Sequence, residues 1–153
     1  MLVICADLVE AIVAHARRDH PDEACGVLAG PEGSDRPERH IPMLNAERSP
    51  TFYRFDAQEQ LKVWRLLDEG NEAPVVIYHS HTATEAYPSR TDVNLAAEPD
   101  AHYVLVSTRD PDRHELRSYR IVDGAVTEEP VNVVERYPER PYLHLDGSPS
   151  GAL

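Results

Sequence analysis

The chain has 153 residues, enough for one domain with an ordinary apolar core. Lys and Arg number 15 against 27 Asp and Glu, a formal net charge of −12, which argues against nucleic acid or an anionic membrane surface as the main partner. No apolar run approaches the roughly 20 residues of a membrane span, and MLVICADLVEAIVAHARR lacks the basic start and small-residue cleavage site of a signal peptide. The reading is a cytoplasmic protein with Cys5 and Cys25 reduced.

In chain order, Leu2–Cys5 is a short apolar run suited to a first strand. Asp7 can cap a helix to about Asp19, with Leu8, Ile12, Val13 and Ala16 on one face, ended by Pro21. Ala24–Ala29 reads as a buried strand and His40–Asn45 as its return, across a polar Gly/Pro-bearing loop. Asp56 can cap a second helix to about Glu69, with Leu61, Val63, Trp64 and Leu67 on its apolar face. Val75–Ser80 is the clearest strand. Thr82–Pro88 is a loop, Ser89–Glu98 a third helix and Ala101–Thr108 another strand. Glu115–Val122 and Ala125–Val134 form a hairpin about Asp123-Gly124. Strands interleaved with helices predict an α/β fold of the α+β kind, built on a mixed sheet. The domain spans 1–135. Residues 136–153, rich in Pro and Gly, read as an extended, partly mobile tail.

The chemistry lies in Tyr78-His79-Ser80-His81, followed after seven residues by Ser89-Arg90-Thr91-Asp92. Alternate residues of a strand face the same side, so both imidazoles can converge on one point. A seven-residue loop can fold the next helix back over that strand end and bring Asp92 to the same place. Two nitrogens and one oxygen, with water in the fourth position, make an open tetrahedral site of the catalytic zinc type. Ferrous iron or another divalent ion also suits two His and a carboxylate. Ser89-x-x-Asp92 is equally a helix capping box, and His-x-His alone carries no weight. The two readings of Ser89 can coexist.

These residues resemble the signature of the JAMM (MPN+) metalloproteases without a departure, and Glu23-Ala24-Cys25-Gly26 resembles the family's upstream Glu followed closely by Gly. The likeness runs from about Leu2 to Val134. It implies a curved mixed sheet flanked by about three helices, akin to the cytidine deaminases. It implies one zinc per chain on His79, His81 and Asp92, Glu23 as the acid/base, and Ser89 stabilising the tetrahedral intermediate. DEACGVLAG, VIYHSHTATEAYPSRTDV and AHYVLVSTRDP resemble a bacterial branch of the family that works in sulfur metabolism. That branch removes cysteine from the C-terminal Gly-Gly of a ubiquitin-like sulfur carrier protein, which releases free cysteine for cysteine biosynthesis.

A Gly-Gly tail is expected to lie extended along a strand edge. Thr82, Glu85 and Tyr87 in the bordering loop, and Tyr53 before the second helix, are the candidate substrate contacts. Phe52 is expected in the core, and Cys25 as a buried structural thiol. The remaining histidines lack ligand spacing. Competing readings are a peptidase for another ubiquitin-like conjugate and a non-catalytic MPN scaffold, whose members typically lack the metal ligands present here. The His-x-Glu and Pro-Cys-x-x-Cys segments of zinc deaminases are absent, as is a Gly-x-Ser-x-Gly elbow. The oligomeric state is open, and a homodimer is compatible with the sequence.

Overall fold

The computed structural model describes residues 1–138, which form eight strands and three helices. β1 (Leu2–Cys5) leads into α1 (Ala6–Asp19), then β2 (Cys25–Pro31) and β3 (Arg39–Met43). α2 (Ala57–Glu69), β4 (Glu72–His81), α3 (Arg90–Leu95) and β5 (His102–Ser107) follow, then β6 (Glu115–Val122), β7 (Ala125–Glu129) and β8 (Val131–Val134). The main sheet has the order β3-β2-β4-β5-β6-β7. Within it β4 and β5 run parallel, and the other neighbours are antiparallel. α3 lies in the crossover that joins the parallel pair, as parallel strands require a long connection. The expected mixed-sheet α/β class holds. Among the described residues no helix is long and apolar enough to cross a membrane.

The period-2 alternation of the central strands divides the core in two. Leu28, Val76, Tyr78, Val104 and Val106 pack under α1 and β1. Val27, Ile77, Tyr103, Leu105 and Tyr119 face the other way, toward Phe55, Trp64 of α2 and Val93 of α3. β4 is the hinge of this arrangement, because its polar end residues are sorted onto opposite faces by the same alternation.

Tyr78 is held tightly on the α1 face. Its Oη lies 2.6 Å from His15 Nδ1 and 2.7 Å from His40 Nε2. His15 Nε2 in turn lies 3.1 Å from the Asp19 carboxylate. Gly26 stands opposite Tyr78 across the β2–β4 pair. A Cβ there would sit 2.4 Å from Tyr78 Oη and 2.5 Å from its ring carbons. Gly26→Ala is therefore expected to cost about 1–3 kcal/mol through overpacking. A lowered urea midpoint at unchanged m-value would show it, and wild-type stability would contradict it.

Several sequence expectations need correction. α1 starts at Ala6 with Cys5 as N-cap and no side-chain cap, so Asp7 sits in the first turn and favours the helix by its charge. His15 joins the buried face in addition to Leu8, Ile12 and Ala16. α2 is capped as expected, with Asp56 accepting from Glu59 N at 2.9 Å. Leu61, however, is 53% exposed, because only the Val63–Trp64–Leu67 stripe reaches the sheet. α3 ends at Leu95, well before Glu98. Phe52 is half-buried with the Arg54 guanidinium 5.6 Å above its ring, outside the core.

The expected strand Ala125–Val134 is two strands. Pro130 has no N–H to give to a ladder. Its carbonyl instead accepts from Leu2 N at 2.9 Å, and β8 pairs in parallel with β1. The first residues of the expected tail are anchored. Tyr137 Oη donates to Pro37 O, and Arg36 lies 5.0 Å over the Tyr137 ring. The rest of that tail, 139–153, lies outside the described residues.

Candidate metal centre

His79 and His81 end β4 and share the face covered by α2 and α3, their ring centroids 5.1 Å apart. Ser80, between them, faces the other way. Its Oγ accepts from Ala24 N at 2.8 Å, and its own N donates to Ala24 O at 3.0 Å. This stitch fixes the chain one residue after Glu23 and delivers the Glu23 carboxylate to the histidines. Glu23 is 3% exposed, and its Oε1 lies 4.0 Å from His81 Nε2. Ligand-capable atoms of Glu23, His79 and His81 all lie within 4.8 Å of one another.

Asp92 enters from α3. Ser89 is the N-cap: its Oγ accepts from Asp92 N at 3.1 Å, and Ser89 N donates to Asp92 Oδ2 at 2.8 Å. This is a complete capping box. The same Oδ2 lies 3.1 Å from Nε2 of both His79 and His81. The cap thus aims the carboxylate at the two imidazoles, and the two readings of Ser89-x-x-Asp92 meet in one side chain.

The proton inventory shows what this donor set suits. His81 Nδ1 lies 2.9 Å from Glu85 O, so it carries the hydrogen there. In a neutral ring Nε2 is then a lone pair facing a carboxylate oxygen, and two acceptors at 3.1 Å repel. His79 Nε2 is buried and makes no hydrogen bond, since its approach to Asp92 is out of line for an N–H. Two imidazole nitrogens that each approach one carboxylate oxygen at 3.1 Å fit a divalent cation. The Glu85 carbonyl plays the orienting part usual behind a ligating histidine.

Without a cation the charges settle differently. Burial opposes protonation of His81, but its hydrogen bonds to Asp92 and Glu85 O outweigh it and raise its pKa. For His79 burial prevails and lowers the pKa. Burial disfavours ionised Asp92, yet the facing imidazoles of His79 and His81 hold its carboxyl far below the usual range. Burial pushes Glu23 up to about 8, His81 opposing and Asp92 reinforcing the shift. Cys25, opposite His79 on β2, is buried and its thiol is pushed up to about 12 chiefly by desolvation, which makes it an inert structural thiol.

The remaining predicted residues surround this centre unevenly. Thr82 Oγ1 donates to Pro50 O at 3.0 Å, which ties its loop to the segment before α2. The Glu85 carboxylate is exposed, 3.5 Å from Arg117. Tyr87 is exposed and stands edge-on to Tyr119 at 5.5 Å. Tyr53 stacks on His79, with centroids 4.2 Å apart and planes at 22°. Tyr53 also lines a cavity of about 300 Å³, with Phe55, Trp64, Ile77, Leu95 and Tyr103 as its apolar walls and Arg54, Gln60 and Glu98 as its polar ones. Sequence reasoning missed Ser80 and the Glu85 carbonyl. Only Ser80 left a trace, as a polar residue inside a buried strand.

The model of a protein family described as prokaryotic homologs of the JAB domain matches residues 5–122. The chain is 86% identical over 137 residues to the CysO-cysteine peptidase of Mycobacterium tuberculosis, covering 90% of this chain and 94% of that one. It is 35% identical over 97 residues to a probable TtuB-protein conjugate cleaving protease of Thermus thermophilus, covering 63% of this chain and 64% of the other. The solution structure of protein DSY2949 from Desulfitobacterium hafniense superposes with a TM-score of 0.77 at 33% identity, over 89% of this chain and 94% of that one. With the family match spanning most of the residues that build the sheet and its site, the chain belongs to the JAMM family, among the prokaryotic homologues of the JAB domain.

Proposed function

We propose that this chain is a zinc metallopeptidase that hydrolyses the bond between the C-terminal Gly-Gly of a ubiquitin-like sulfur carrier protein and cysteine, releasing free cysteine. The observation that carries the chemistry is the convergence of His79, His81 and Asp92 beside buried Glu23. The substrate class is supported by the 86% identity to a protein named CysO-cysteine peptidase. Residues 1–135 make up the catalytic domain in this reading. A cytoplasmic setting suits the free thiols Cys5 and Cys25.

His79, His81 and Asp92 would hold the zinc, which when bound supplies Lewis acidity and makes water more acidic. Glu23 takes a proton from the attacking water and returns it to the departing amine of cysteine as the C–N bond breaks. In the metal-free chain burial raises the Glu23 carboxyl above its usual range, the direction that suits a group which must both take up and return a proton. Ser89 Oγ accepts from Asp92 N, so its own hydrogen remains to donate to the oxyanion that develops on the glycine carbonyl. The tail lies extended past the Thr82–Pro88 loop, with Thr82, Glu85, Tyr87 and Tyr53 as its contacts.

A second reading, a peptidase for another ubiquitin-like conjugate, is favoured by the name of the Thermus relative. The test is incubation with a purified carrier–Gly-Gly–cysteine conjugate, with and without a zinc chelator. Free cysteine is expected, falling at least about tenfold on chelation and returning with added zinc. Cleavage of protein isopeptide conjugates alone would favour the second reading. Release of cysteine unaffected by exhaustive metal removal would overturn the metallopeptidase assignment.

A further inference from the structure

Glu23 is joined to the sheet by its successor, Ala24, but its own backbone bonds elsewhere. Glu23 N donates to Ser49 O at 2.8 Å, and Glu23 O accepts from Asn45 Nδ2 at 3.1 Å. The other Nδ2 hydrogen goes to Phe52 O at 2.9 Å. Asn45 Oδ1 accepts from Glu47 N at 3.0 Å and from Arg54 N at 3.2 Å. Two carbonyls on one side and two amides on the other fix the orientation of the carboxamide, and every part of it is used.

This one side chain organises the segment 45–55. The backbone closes around it, with Ala46 N bonded to Arg54 O at 2.8 Å and an isolated bridge between Asn45 and Phe55. The segment carries Tyr53, stacked on His79, and Pro50, whose carbonyl holds Thr82. Glu23 is therefore gripped from two sides: Ser80 Oγ through Ala24, and Asn45 Nδ2 directly. The first grip sets its distance from β4, and the second sets the direction in which its peptide, and hence its side chain, leaves the loop.

We infer that Asn45 is a positioning residue for the reaction, a double donor that holds Glu23 against the His79–His81 pair and ties the Tyr53 segment to it. The inference rests on the reading of Glu23 as acid/base. Misplacement of such a group by about 1 Å is enough to cost on the order of 100-fold in rate.

Asn45→Asp keeps both acceptor bonds but sets a carboxylate oxygen against the carbonyls of Glu23 and Phe52. With kcat counted per folded, zinc-loaded chain, we expect a fall of about 10–100-fold at a KM within about twofold of wild type and unchanged zinc stoichiometry. Hydrogen exchange in the metal-free protein supplies a readout independent of turnover. The Glu47 and Arg54 amides stay protected in Asn45→Asp and lose protection in Asn45→Ala, which should show the same fall in kcat. Wild-type kcat in both variants, or a loss that vanishes once zinc-loaded folded chain is counted, overturns the inference. Glu23→Gln run in parallel separates the two failures. If that variant is inactive while Asn45→Asp is fully active, only the role of Asn45 falls. If Glu23→Gln turns over normally, the acid/base reading falls and this inference with it.

Discussion

With Glu23 in its proposed role of general acid/base, replacing it by glutamine is expected to lower kcat by about 10²–10⁴-fold while metal binding is retained. The same substitution should stabilise the metal-free protein, and the size of that gain should depend on pH. Burial raises the folded-state pKa of Glu23 from 4.5 to about 8. Its proton is thus bound more tightly in the folded chain than in the unfolded one. The stability this provides is complete below about pH 4.5 and is lost as pH rises toward 8. Above that, a buried carboxylate remains, and its cost is about 5 kcal/mol at 1.36 kcal/mol per pKa unit. Glutamine fills the same volume without titrating. The difference in urea midpoint between variant and wild type, both free of metal, should therefore widen from near zero at pH 4 to its maximum near pH 8. A constant difference across that range would show that Glu23 is not held neutral by its surroundings.

Asp92→Asn should have the opposite signature. Asparagine Oδ1 can still accept from Ser89 N, so the capping box survives in part, but the interactions with His79 and His81 that hold the Asp92 carboxyl far below its usual range are lost, and the metal-free chain should be less stable at neutral pH by an amount that shrinks as the pH falls. The negative charge that faces both Nε2 atoms disappears, and an amide hydrogen can take its place against a ligand nitrogen. Even residues that merely orient ligands change affinity 10–100-fold, so the loss of a ligand should weaken zinc binding by at least about 100-fold. Competition titration against a chromogenic chelator measures this directly, and activity should fall in parallel. Glu23 is the rival third ligand, because its carboxylate also lies within 4.8 Å of both imidazoles. The two variants separate the assignments. If Asp92→Asn binds zinc normally and Glu23→Gln does not, the carboxylates have exchanged roles.

How much of this was readable from the residues depends on the range over which each one acts. The convergence of His79 and His81 follows from strand alternation alone, and the Ser89–Asp92 cap follows from helix-start chemistry. Each is local, and each appears where expected. Glu23 had no local signal. It became a candidate through resemblance, and its place depends on the antiparallel β2–β4 pairing, which links residues more than fifty positions apart. Asn45 and Ser80 were invisible for the same reason: an asparagine after a strand and a serine within one become informative only when their partners are known. The Glu85 carbonyl has no side-chain identity to read at all. In the fold, Pro130 marked a break that the strand pattern concealed, but nothing nearby pointed to β1 as the new neighbour of β8. Leu61 misled because helical period gives a face, while its width is set by how much sheet lies beneath it.

Tyr78 has a further consequence for the centre it adjoins. In a strand, a slip of one residue exchanges its two faces. If β4 slid by one position, a phenol would point toward Asp92, and an imidazole would enter the apolar layer beneath α1. Gly26 leaves room for a ring in only one place, and His15 and His40 grip its oxygen there. The back of the sheet thus acts as an alignment key for the front. Spatial error in the donor atoms is limited by contacts that never meet substrate, on the side of the protein facing away from the chemistry.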